Sequence, residues 1–171
     1  MNRWALIAVA LCVLAAGCGS DATSPSNQPL VFSAILSPGN EVPAVSNAES
    51  NGRGAAQIQF DVTRGSDGAI TAATASFYFQ LSGFPTGTTV QGAHIHPAPA
   101  GVNGPVIIST GLTGTNTISL PDGSTEFKVA GIPADAALVQ AIVTNPAAFY
   151  FNVHSPLNPG GFSRGQLNRV N

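Results

Sequence analysis

Charge and sulfur are both scarce in this chain. Only 8% of its 171 residues are Asp, Glu, Lys or Arg, with Lys128 the single lysine and a formal net charge of −2, so solubility must come from Ser, Thr, Asn and Gln. A protein that grips nucleic acid needs a basic footprint, so nucleic acid is not an expected partner. No basic amphipathic stretch offers a grip on a membrane surface either. The chain lacks a Gly-x-Ser-x-Gly elbow, a phosphate loop and a dinucleotide fingerprint. Its eight acids are scattered, so no glycosidase-like carboxylate pair stands out and no catalytic residue is assigned. There are only two cysteines, Cys12 and Cys18, and only three histidines, His94, His96 and His154.

Both cysteines fall in the opening MNRWALIAVALCVLAAGCGS. Arg3 supplies a positive start, and Trp4 to Leu14 is an apolar run well short of the roughly 20 residues a spanning helix needs. The run closes on Leu14-Ala15-Ala16-Gly17-Cys18, which resembles a bacterial lipobox. The plainer alternative is an ordinary secretory signal with a chance cysteine. The lipobox implies a signal peptide over 1–17, removal of Cys12 with it, and acylation of Cys18 as a membrane anchor. No thiol would then remain for a disulfide, a thiolate metal site or a nucleophile. Residues 18–29 are small, polar and proline-containing, as in a flexible tether, and 30–171 is left as one domain. Without Arg3 the mature chain holds five basic side chains against eight acidic ones. Gly19 and Ser20 do not resemble an inner-membrane retention signal. In a cell with two membranes the expected address is the outer membrane, facing the periplasm.

Within the domain, alternation dominates. Ile58, Phe60 and Val62 share one face of a strand whose other face is polar, and Arg64 to Gly68 is a turn before a return strand from Ile70 to Leu81. Further strands are expected over Thr88–His96, Val106–Ile108, Phe149–His154 and Gly165–Val170. Thr117–Leu120 and Thr125–Val129 flank Pro121-Asp122-Gly123-Ser124 as a second hairpin. One short helix is expected near 134–143, opened by Pro133 and stopped by Asn145-Pro146, with Leu138, Ile142, Ala134 and Ala141 on its buried face. Eight to ten short strands punctuated by Gly and Pro imply an all-β, antiparallel Greek-key sandwich or barrel.

Several stretches together resemble the CHRD domain. They are Phe32-Ser33-Ala34-Ile35-Leu36-Ser37 with Glu41-Val42-Pro43, Ala93-His94-Ile95-His96, Asn103-Gly104-Pro105-Val106, Tyr150 to Ser155, and Arg164-Gly165-Gln166-Leu167. They occur in the family's order and span nearly all of 30–171. Ala44 departs from the family's frequent second proline, and Phe162 stands where an acid is common. The resemblance implies an immunoglobulin-like or superoxide-dismutase-like β-sandwich and no settled activity.

The histidines carry the sharpest chemical question. On a strand, His94 and His96 project to one side about 6 to 7 Å apart while Ile95 faces the other. His154 shares a face with Asn152 and Tyr150. If the two strands are neighbours, three imidazoles converge in a set suited to copper or zinc, with Glu41 or Asn152 placed to orient a ring. The plain alternative is that these strand-end histidines hydrogen-bond loop carbonyls between Pro97 and Gly104. Arg164 is expected to be a structural cation paired with Glu41, or else an anion-binding arginine. Asn103-Gly104-Pro105 is expected to turn beside the histidines, or to form a ligand-binding lip. Three functions follow: an envelope lipoprotein with a binding or structural role, a metalloenzyme with redox or hydrolytic chemistry, or an adhesion module that needs no histidine.

Overall fold

The computed structural model describes residues 26–171; the expected signal peptide, Cys18 and the tether up to Pro25 lie outside the described residues. Among the described residues eleven strands and one α-helix follow in order, besides two single-turn 3-10 helices: β1 (Leu30–Leu36), β2 (Arg53–Arg64), β3 (Ile70–Ser82), β4 (Thr88–Val90), β5 (Gly92–Pro97), β6 (Ile108–Ser109), β7 (Ile118–Leu120), β8 (Thr125–Ala134), α1 (Ala136–Thr144), β9 (Phe149–His154), β10 (Ser163–Gln166) and β11 (Asn168–Arg169). Five strands form one sheet in the order β11-β1-β2-β3-β8, four form a second in the order β10-β9-β5-β6, and β4 pairs with β7 in a small ribbon. Every pairing is antiparallel. The meander β1-β2-β3 with β11 returning beside β1 has the order of a Greek key. The fold is an all-β sandwich.

Period-two alternation fills the space between the sheets. Phe32, Ile58, Phe60, Phe77 and Phe79 point inward from the five-stranded sheet, and Ala93, Ile95, Phe151 and Val153 from the four-stranded one. Phe151 links the layers, with ring centroids 5.9 Å from Phe77 and 5.7 Å from Phe79. The outer face of the five-stranded sheet is open to solvent at Gln57, Gln80 and Lys128. The outer face of the four-stranded sheet is covered: Tyr150, Asn152 and His96 are buried there too. Strand β9 is therefore packed on both sides.

Several local expectations change. Gly165–Val170 is not one strand: β10 joins the four-stranded sheet and β11 the five-stranded one, with Leu167 between them. Thr88–His96 is not one strand: it breaks at Gln91, so that β4 joins the ribbon with β7 while β5 enters the four-stranded sheet. The Pro121–Ser124 turn does not close a hairpin, because β7 pairs with β4 and β8 with β3. Gly123 has φ 72° and its carbonyl accepts from Phe84 N at 3.1 Å, so the turn packs on the Phe84 segment as the chain changes sheets. Pro133 does not open the helix: it lies in β8, an edge strand that tolerates a missing donor. Asp135 caps α1 instead, its carboxylate accepting from Ala137 N and Leu138 N. Val139 and Ile142 form the buried face, while Leu138 is only half-buried and Ala141 is exposed.

Phe151→Ala should lower unfolding free energy by about 3–5 kcal/mol, the cost of truncating a buried aromatic. Urea denaturation checks this, with an unchanged m-value expected.

Candidate metal centre

The register of β5 against β9 builds the site. Gly92 lies opposite His154, His94 opposite Asn152, and His96 opposite Tyr150. All six residues face outward, because their neighbours Ala93, Ile95, Phe151 and Val153 take the core side. Imidazole centroids are 4.9 Å apart for His94 and His154, and 5.8 Å for His96 with each of the other two. One ring nitrogen from each histidine lies within 4.8 Å of the others. Three nitrogens bound at 2.0–2.1 Å to one tetrahedral centre would be roughly 3.4 Å apart, so small ring rotations close the set.

Hydrogen bonding settles which nitrogen of His96 and of His154 stays free. His96 donates from Nδ1 to the Gly104 carbonyl at 3.0 Å, and His154 donates from Nδ1 to the Pro159 carbonyl at 3.0 Å. Each bond fixes the proton on Nδ1 and leaves Nε2 as a lone pair. The buried ring nitrogens without partners are His94 Nδ1, His96 Nε2 and His154 Nε2. A metal and a loop-bonding role are thus not exclusive: each of two rings spends one nitrogen on a carbonyl and keeps the other bare. Burial lowers the pKa of all three, His94 furthest, to about 4, with His154 and His96 adding repulsion against its protonation. The trio is neutral at pH 7, as ligation requires.

Gly92, which the histidine spacing alone did not single out, makes room for this arrangement. A Cβ there would lie 2.9 Å from His94 Cε1 and 3.6 Å from His154 Cβ. The signal was available: Gly92 is two residues before His94 and so shares its face.

The covering loops are tied down by Arg164 on β10. Its Nε donates to the Asn40 carbonyl at 2.6 Å, and its Nη1 to Asn103 Oδ1 at 2.7 Å. The guanidinium lies 4.7 Å from the Tyr150 ring centre, and Tyr150 stacks on His96 at 4.8 Å with 5° between planes. The Tyr150 hydroxyl accepts from Gly104 N at 3.2 Å. Arg164 and Glu41 face one another with Nε 3.8 Å from Oε2, both buried. Glu41 neighbours Asn152, and neither makes a hydrogen bond to an imidazole, so the rings are oriented by the two loop carbonyls instead. Burial raises the Glu41 pKa to about 7, outweighing the opposite pull of Arg164 and of the neighbouring Asn152 amide. Asn103 and Gly104 do turn beside the histidines, supplying a partner for Arg164 and the carbonyl for His96.

A second buried acid, Glu49, accepts from Ser155 Oγ and Asn158 Nδ2, which anchors the loop after His154. Between these loops a cleft of about 330 Å³ is lined by Glu41, Asn103, Asn158, Pro159 and Gly161, among others. No imidazole lines it.

The family profile described as CHRD domain matches residues 32–167. No curated protein and no solved structure matches the chain.

The shifts predict how metal-free stability varies with pH. Histidines with depressed folded pKa values leave the unfolded state holding more protons below pH 6.5, so their contribution is complete above 6.5 and is lost towards pH 4. Glu41 acts oppositely between 4.5 and 7, because the folded state then holds the extra proton. Three histidines outweigh one carboxyl, so the urea midpoint should fall from pH 7 to pH 5. In Glu41→Gln the fall should be steeper; a shallower one would contradict the opposition.

Proposed function

The chain belongs to the CHRD domain family, and from that premise we propose that it is a cell-envelope lipoprotein whose three histidines hold a copper or zinc ion in a binding role. The observation that carries the metal reading is the trio of buried, unpartnered nitrogens on His94, His96 and His154, two of them aimed by carbonyls from separate loops. A buried polar atom without a partner is costly, and a metal ion satisfies all three at once. The donor set, neutral imidazole only, suits copper and zinc and is poor for magnesium or calcium.

Binding is favoured over catalysis by how the rings are held. His96 and His154 are turned into loops, and the nearby cleft is lined by loop residues and Glu41 rather than by imidazoles. A hydrolytic or redox enzyme would present an open metal position to such a cleft. The anchor rests on Leu14 to Cys18, and the proposed address is the outer membrane where the host has two membranes.

Full-length protein purified in detergent should take up one equivalent of Zn²⁺ or copper by elemental analysis, and His94→Gln/His96→Gln should take up none. Gly92→Ala should bind at least tenfold more weakly, since its Cβ displaces His94, while keeping a native circular-dichroism spectrum. Equal metal content in all three proteins would refute the site. Separately, Cys18→Ser should abolish incorporation of labelled palmitate and release the protein into the soluble fraction.

A further inference from the structure

We infer that the three-histidine centre selects a monovalent cation, copper(I), over zinc(II) and other divalent ions, an inference that rests on the metal reading above. Its donors are three neutral nitrogens, and neither carboxylate nor thiolate joins the group among the described residues. Neutral donors leave the ion's whole charge on the protein. The Born cost of holding charge away from water grows with its square, so a divalent ion costs about four times as much as a monovalent one in the same place.

The surroundings do not make up that difference. Apart from His96, the buried charged side chains among the described residues are Glu41, Glu49 and Arg164. Glu49 is engaged by Ser155 and Asn158, and Glu41 faces Arg164 and Asn152. With Arg164 positive, the three sum to one formal negative charge at most. One positive charge balances that; two leave an excess beside a buried guanidinium.

Coordination number argues the same way. Copper(I) is complete with three donors in a plane, whereas zinc(II) calls for a fourth, from a water or a further protein atom. Tyr150 does not supply it, since its ring lies flat on His96 and its hydroxyl is held by Gly104 N. Asn152 Oδ1, buried and unpartnered on the strand position opposite His94, is a neutral donor at hand. Recruiting it would fill the coordination sphere without offsetting charge.

The test is a pair of competition titrations on the full-length protein in detergent at pH 7.5. Copper(I), kept reduced by ascorbate without oxygen, competes against bicinchoninate; zinc(II) competes against a fluorescent chelator. The expected result is one copper(I) per chain, bound more than a hundredfold tighter than zinc(II), with silver(I) likewise shifting the ¹⁵N resonances of all three imidazoles. A copper(I) preference below a hundredfold overturns the selectivity while leaving the metal site intact, provided His94→Gln/His96→Gln binds neither ion. If wild-type protein binds neither ion stoichiometrically, or the double variant binds as well as wild type, the metal reading falls and this inference with it.

Discussion

The register between β5 and β9 is the constraint on which the rest depends. Side chains alternate along a strand, so one choice of pairing sends Ile95, Phe151 and Val153 into the core and His94, His96 and His154 to the outer face. A slip of one residue would bury imidazoles among phenylalanines and expose the aromatic layer. The hydrophobic energy that closes the sandwich therefore also holds the histidine geometry. The two cannot be varied separately.

A second constraint is the buried cation of Arg164. It lies on the covered side of the four-stranded sheet, where an unpaired charge would be expensive. Its partners come from the Asn40–Glu41 segment, from Asn103 and from the Tyr150 ring, so satisfying it pulls two loops over the site. Those loops include the residues that orient Tyr150 and His96. Packing, ion pairing and imidazole tautomer form one connected network, and Gly104 joins its ends by bonding both Tyr150 and His96.

Much of this was legible in the sequence where periodicity is strong. The alternation in Ile58-Gln59-Phe60-Asp61-Val62 places that strand and its inner face without further information. The face shared by His94 and His96 is legible for the same reason, and His154 follows from the run Phe149 to His154. What was not legible concerns partners. The turn at Pro121–Ser124 has hairpin chemistry, yet the strands on either side belong to different sheets, and nothing local announces that. The helix starts at Ala136 because Asp135, not Pro133, caps it, and its buried face pairs Ile142 with Val139 rather than with Leu138. The carbonyls of Gly104 and Pro159, which fix two tautomers, have no side-chain signature at all. Glycine at 92 was visible but silent until its neighbour's ring was placed above it.

The separation of the histidines along the chain adds a consequence for when the site exists. His94 and His96 are near neighbours, but His154 comes 58 positions after His96. An unfolded chain offers only the nearby pair, and recruiting the third ring means closing a long loop against its entropy. Anything that needs all three rings is therefore bound by the folded domain alone and stabilises it by mass action. Before folding the chain would hold such a ligand weakly, and a tight grip would arise only once β9 is seated beside β5.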